Sequence, residues 1–149
     1  MTVGALDDLY REIILDHYRT PRNRGELPSP PATRVEGFNP LCGDEVTLYL
    51  VVRDGRLEDI RVTGEGCSIS QSSASLMTAA VKGRALDEVR ETIGRFKAMM
   101  SVTDAEPADP RALGELAALS GVSKFPVRIK CATLAWNTLV QGLDEAAAA

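Results

Sequence analysis

The sequence predicts an α+β fold: one small antiparallel three-stranded sheet packed against several helices. Two observations carry that expectation. Between Val46 and Val62 apolar residues alternate around an Asp54-Gly55 turn signal, whereas the flanking stretches repeat at helical spacing. With 149 residues and a hydrophobic fraction of 44%, the chain fits one domain, 1–149. A domain of that size buries roughly 70% of its unfolded surface.

Leu6, Leu9, Tyr10, Ile13, Ile14 and His17 define one face of a helix from about residue 5 to residue 19. Pro21 ends it, because the residue before a proline is pushed out of the α region. Arg22-Asn23-Arg24-Gly25 reads as a basic surface turn, and Pro28, Pro30 and Pro31 mark an extended connector. A strand is expected through Arg34–Phe38. The next, Val46–Arg53, sets Val46, Leu48, Leu50 and Val52 on one face and Thr47, Tyr49 and Val51 on the other, as in a strand covered on both sides. Asp54-Gly55 suits the positive φ angles of a type I′ hairpin. Ile60 and Val62 return in phase and Leu57 does not, so a bulge or a late strand start is expected.

Gly64-Glu65-Gly66 breaks that strand immediately before Cys67, and the serine-rich run from Ser68 opens a helix with serines as natural N-caps. Ile69, Leu76, Met77 and Ala80 fall on one side of it, and Gly83 marks its end. Leu86, Val89, Ile93, Phe96 and Met100 predict another helix. An acidic loop, Thr103–Ala108, leads to Asp109-Pro110, an N-cap followed by proline at the first helical position. A short helix through Leu113, Leu116 and Leu119 is expected to close at Ser120-Gly121. The last helix, after Phe125-Pro126, carries Cys131, Leu134, Ala135, Leu139 and Leu143 on one stripe, with a fraying alanine tail at 146–149.

Composition excludes several classes of function. A net charge of -4 lacks the basic footprint of a nucleic-acid binder. No apolar run approaches the roughly 20 residues of a membrane span. The opening MTVGALDDLYRE has two early aspartates and no basic region, so no secretory leader is expected and the cytoplasm is the expected compartment. Three cysteines, none in a C-x-x-C pair, make a poor disulfide framework.

Each cysteine instead has a setting suited to a thiolate. Cys42 lies between Pro40 and Gly43, where the chain can turn tightly. Cys67 stands at a helix start, with its free N–H groups and partial positive charge. Cys131 follows Arg128 and Lys130. The hairpin brings Cys42 and Cys67 to one end of the sheet, and Asp44 adds a carboxylate two residues from Cys42. Three sulfurs and one oxygen satisfy tetrahedral zinc, with Zn–S near ~2.3 Å, and Lys130 or Arg128 could offset the excess negative charge. Iron–sulfur clusters also take thiolates, so ligand type leaves both open. His17, on the apolar face of the first helix, reads as a buried, hydrogen-bonded structural residue and not a ligand.

Cys42-Gly43-Asp44, Gly64-Glu65-Gly66-Cys67 with its serine-rich continuation, and Lys130-Cys131 after Phe125-Pro126-Val127-Arg128 resemble the three ligand segments of the IscU-type iron–sulfur assembly proteins. Leu15-Asp16-His17-Tyr18-Arg19 through Pro21-Arg22-Asn23-Arg24-Gly25 is similar to that family's amino-terminal helix and turn. The resemblance spans essentially the whole chain and implies an IscU-like fold. Two departures resemble the SufU branch of the family. Lys130 stands where the scaffold has a histidine, and about twenty extra residues, roughly Ser101 to Gly121, precede the third cysteine.

The resemblance implies that Cys42, Asp44, Cys67 and Cys131 bind zinc. It further implies that Cys42 accepts persulfide sulfur from a pyridoxal-phosphate-dependent cysteine desulfurase and passes it to downstream iron–sulfur assembly proteins. The chain would then be a sulfurtransferase-like partner of that enzyme, with Lys130 and Arg128 assisting beside the site. The alternative it leaves is a scaffold on which a [2Fe–2S] or related cluster is built by Cys42, Cys67 and Cys131, then handed on.

Overall fold

The computed structural model describes residues 3–41, 43–100 and 113–148. Helix α1 (Val3–Arg19) leads through a turn and a connector to the sheet, formed by β1 (Thr33–Asn39), β2 (Asp44–Arg53) and β3 (Arg56–Glu65). Helices α2 (Ser68–Val81) and α3 (Leu86–Met99) follow, then a 3₁₀ segment (Gly114–Lys124) and α4 (Pro126–Ala148). The sheet order is β1-β2-β3, antiparallel throughout, as the alternation predicts.

Asp54 (φ 53°) and Gly55 (φ 72°) both lie in the left-handed region, the backbone that a tight hairpin of this twist requires. The phase break at Leu57 is a bulge. Val51 pairs with Asp59 and Val52 with Leu57, which leaves Glu58 as the extra residue. That insertion returns Leu57 to the core, where it is fully buried. The free edge of β3 is covered by the basic turn: Val62 N–H donates to Asn23 O at 2.9 Å and Gly25 N–H to Val62 O at 3.0 Å.

Helix α4 lies on the inner face of the sheet, and glycines set how closely. A Cβ on Gly37 would fall 2.0 Å from Thr138 Oγ1, and one on Gly142 would fall 2.6 Å from Leu50 Cδ1 and 2.9 Å from Val35 Cγ2. Chain direction therefore opposes between the two, with Val35 against Gly142 and Gly37 against Thr138. Helix α2 is sandwiched between α1 and α4 and is buried on nearly every side. Its small residues permit this, and its hydroxyls replace the lost water. Ser73 Oγ donates to Ala132 O (2.6 Å) and accepts from Trp136 Nε1 (3.0 Å). Trp136 also stacks on Phe96, with ring centres 4.2 Å apart.

Several expectations change in detail. The N-cap of α2 is Cys67, not a serine; its Sγ accepts the Ser70 N–H at 3.5 Å. The serines serve as close-packing hydroxyls instead. The 3₁₀ segment continues past Ser120-Gly121 to Lys124, because Leu116, Leu119 and Val122 are all buried along it. Leu9, expected on the apolar face of α1, is exposed, and the buried stripe of α4 includes Trp136 and excludes the half-buried Leu134. Helix α4 continues into the alanine tail as far as Ala148. The acidic loop and the Asp109-Pro110 start lie outside the described residues. Among those described, no helix is long and apolar enough to cross a membrane.

Candidate metal centre

Three separate elements deliver their side chains to one end of the sheet. Asp44 opens β2 and faces inward, 1% exposed. Cys67 sits where β3 gives way to α2, half-buried, and Cys131 lies in the second turn of α4, 2% exposed. The Asp44 carboxylate and the two sulfurs all lie within 4.8 Å of one another. The structure thus brings together three of the four residues named as candidate ligands. Cys42 lies outside the described residues, but its neighbours are placed. Asn39 Oδ1 accepts the Leu41 N–H (3.1 Å) and Asn39 O accepts the Gly43 N–H (2.8 Å), so Asn39 folds the chain tightly on either side of position 42. Gly43 takes φ 71°, which an ordinary side chain would resist.

The carboxylate is aimed before any cation arrives. Asp44 Oδ1 accepts the Cys67 N–H at 3.0 Å, and Oδ2 lies 3.9 Å from Cys67 Sγ. Gly66 makes room for this. A Cβ there would stand 2.5 Å from Asp44 Oδ1, so the space of a side chain is taken by the Asp44 carboxylate. The Gly-x-Gly signal reads from sequence only as a strand breaker; its second glycine turns out to serve the site.

These distances fit a metal. Ligand atoms bound tetrahedrally to zinc at ~2.0–2.3 Å stand about 3.5–3.8 Å apart, so the Asp44–Cys67 pair is already close to bonding geometry. Two sulfurs and one carboxylate oxygen suit zinc or an iron–sulfur cluster and are too soft for calcium or magnesium.

The other candidates sort differently. Lys130 and Arg128 are exposed and make no ion pair among the described residues. Arg128 lines a groove of about 880 Å³ that also touches Tyr10, Ile69 and Phe125. Phe125 and Val127, just ahead of Cys131, are exposed apolar side chains, as are Phe38 and Leu41 ahead of position 42. His17 is 1% exposed, with Nδ1 against Ser75 Oγ (2.8 Å) and Nε2 against Glu115 Oε1 (3.3 Å), the structural role expected of it. Arg22 pairs with Asp16, and Arg24 bonds to Gln71 and to Gly64 O, so both serve the turn.

A small α+β domain that gathers two cysteine sulfurs and a buried carboxylate at one end of a three-stranded sheet has the donor set of a metal–thiolate centre. The chain belongs to the NifU-like N-terminal domain family, whose model matches residues 9–132. It is 45% identical over 138 residues to the zinc-dependent sulfurtransferase SufU of Bacillus subtilis, covering 93% of this chain and 91% of that protein. It is 38% identical over 147 residues to the iron–sulfur cluster assembly scaffold protein IscU of Streptococcus pyogenes, covering 99% and 90%. The crystal structure of the SUF-system protein FiSufU from Fervidobacterium islandicum superposes with a TM-score of 0.80 at 33% identity, covering 89% of this chain and 94% of that one.

Proposed function

We propose that this chain is a zinc-dependent sulfur-transfer protein that accepts persulfide sulfur from a pyridoxal-phosphate-dependent cysteine desulfurase for iron–sulfur cluster assembly. The observation that carries this reading is the convergence of the Asp44, Cys67 and Cys131 donor atoms within 4.8 Å, in a chain similar along its length to a zinc-dependent sulfurtransferase. Cys42 completes the ligand set. Zinc, when bound, supplies the positive charge that keeps sulfur ligands deprotonated at neutral pH. Thiol chemistry of this kind belongs in a reducing compartment, here the cytoplasm.

The chain's own residues then divide the work. Asp44 and Cys67 are tied together by the Cys67 N–H bond to the carboxylate, and with the buried Cys131 they form the fixed side of the site. Cys42, between Pro40 and Gly43 in the sequence, would be the fourth residue to hold zinc and the one that accepts sulfur. As a thiolate it attacks the outer sulfur of the partner's cysteine persulfide. A new S–S bond forms at Cys42 while the partner's S–S bond breaks, and its electron pair departs on the partner's cysteine thiolate. Nothing is oxidised or reduced overall. Lys130 and Arg128, exposed next to Cys131, offer positive charge to that incoming anionic persulfide, and Phe125 and Val127 offer apolar contact to the protein that carries it.

The test pairs metal analysis with desulfuration kinetics. About one zinc per chain is expected, with a cysteine desulfurase accelerated by the protein and not by Cys42→Ser. Desulfurase stimulation that survives Cys42→Ser would remove Cys42 from the acceptor role. The kinship to an assembly scaffold supports a second reading, in which a [2Fe–2S] cluster is built on the same residues. A coloured cluster that reconstitutes on the protein and transfers intact to an apo-acceptor would establish that reading instead.

A further inference from the structure

Asn39 holds a buried hydrogen-bond donor with no partner among the described residues. The residue is 7% exposed, and the donor is its Nδ2. The only other buried side-chain atom of that kind described, Arg61 Nε, at least faces Asp59 Oδ1 at 3.4 Å. The amide cannot simply be turned over, because Oδ1 is needed to accept the Leu41 N–H at 3.1 Å. Buried donors of this sort are rare in native proteins and disfavoured, unless a working state of the molecule supplies the acceptor.

Placement indicates which acceptor. Asn39 faces inward on β1 directly opposite Asp44, so the two Cβ atoms are about 5 Å apart. Along α4, Val35 meets Gly142 and Gly37 meets Thr138. The next inward residue of β1 is Asn39, which by the same four-residue step falls beneath the turn at Leu134, with Cys131 in the turn before it. Cys131 Sγ is within 4.8 Å of the Asp44 carboxylate. As a thiol it directs its proton toward Val127 O at 3.8 Å. As a metal-bound thiolate it has no proton to give and can only accept.

We infer that Asn39 is a positioning residue of the metal centre, its Nδ2–H donating to the Cys131 sulfur when metal is bound. The inference rests on the metal-binding reading above. It makes the same residue serve twice, since Oδ1 holds the Leu41 N–H while Nδ2 steadies the Cys131 sulfur. Donors from outside the ligand set orient ligands and tune affinity in this way.

Two substitutions separate the two halves of the amide. Asn39→Ala removes donor and acceptor together. Asn39→Asp keeps the acceptor for Leu41 and puts a carboxylate where the donor was. Zinc affinity of the full chain is measured by competition with a chromophoric chelator, alongside thermal melts of the metal-free variants. Asn39→Ala is expected to weaken zinc binding about ten-fold, and Asn39→Asp more, because an added negative charge then faces an anionic ligand. Wild-type affinity in either variant would overturn the inference; in Asn39→Asp it would mean that the residue serves only the turn. A readout on the unaltered protein guards against variants that fail to fold. With NMR-active cadmium bound, scalar coupling is expected between the metal and the Asn39 side-chain amide proton, and its absence would sink the assignment. An unaltered chain that binds neither zinc nor cadmium would bring down the metal reading itself, and this inference with it.

Discussion

Gly66 has no side chain because the Asp44 carboxylate stands where a Cβ would go, 2.5 Å from Oδ1 and 2.9 Å from Cγ. Gly66→Ala must therefore push the carboxylate off its line toward Cys67. Zinc affinity is expected to fall by about ten-fold or more, with the metal-free fold retained by circular dichroism. Unchanged affinity would show that Asp44 is not a ligand. His17 makes the contrasting case at the same scale. It joins α1 to Ser75 of α2 and to Glu115 of the 3₁₀ segment, far in sequence from every ligand. His17→Leu removes the buried bond to Ser75 Oγ, along with the contact to the exposed Glu115, and is expected to lower stability by about 1–3 kcal/mol in urea unfolding. Zinc affinity should not move; if it did, the histidine would be more than structural.

At the scale of elements, the contact between α4 and the sheet decides where Cys131 ends up. Gly142 lets the helix settle onto Leu50 and Val35, so Gly142→Ala forces the two apart by overpacking, at about 1–3 kcal/mol in denaturant unfolding. A neutral result would show that the helix can shift without loss, and that its position is not tightly set. None of this close approach was legible from the sequence. Hydrophobic period reports which face of an element is buried but not how near its neighbour comes. The strands, the hairpin and even the bulge were legible, because alternation has a fixed period of two and Leu57 breaks it visibly. The serine-rich helix was harder. Its period marked Ile69 and Ala80 as core, yet both are only half-buried, while Ser72, Ser73 and Ser75 are the residues sealed inside. A helix packed on nearly every side has no polar face to reveal its orientation. Of the four candidate ligands named from the sequence, the structure brings Asp44, Cys67 and Cys131 together, while Asn39 and Gly66 carried no chemical signal of their own.

For the molecule as a whole, the site and the scaffold are coupled through binding. A ligand that binds only the folded chain stabilises it by about 2.7 kcal/mol at a hundred-fold excess over Kd, or roughly 5–10 °C in Tm for a chain of this length. Chelation should remove that increment, so acid stability is best measured on the metal-free protein. There the junction at Asp59 is informative, because it links three parts of the fold. Its carboxylate accepts the Ile60 N–H on β3 (2.8 Å) and lies 3.4 Å from both Arg61 Nε and Lys82 Nζ, and Lys82 also reaches Asn23 of the basic turn. Burial pushes the Asp59 carboxyl up, but the Ile60 hydrogen bond and the charges of Arg61 and Lys82 together outweigh it and hold it below its ordinary value of 3.8. The unfolded chain therefore binds the proton more readily. Stability from this group is complete above pH 3.8 and is lost as pH falls through the lower, folded value. Asp59→Asn should thus be less stable than the parent at neutral pH, with the gap between their urea midpoints closing below pH 3.8. A gap that stayed constant into acid would mean that the carboxylate's charge contributes nothing, and that the turn is held on β3 by its backbone hydrogen bonds alone.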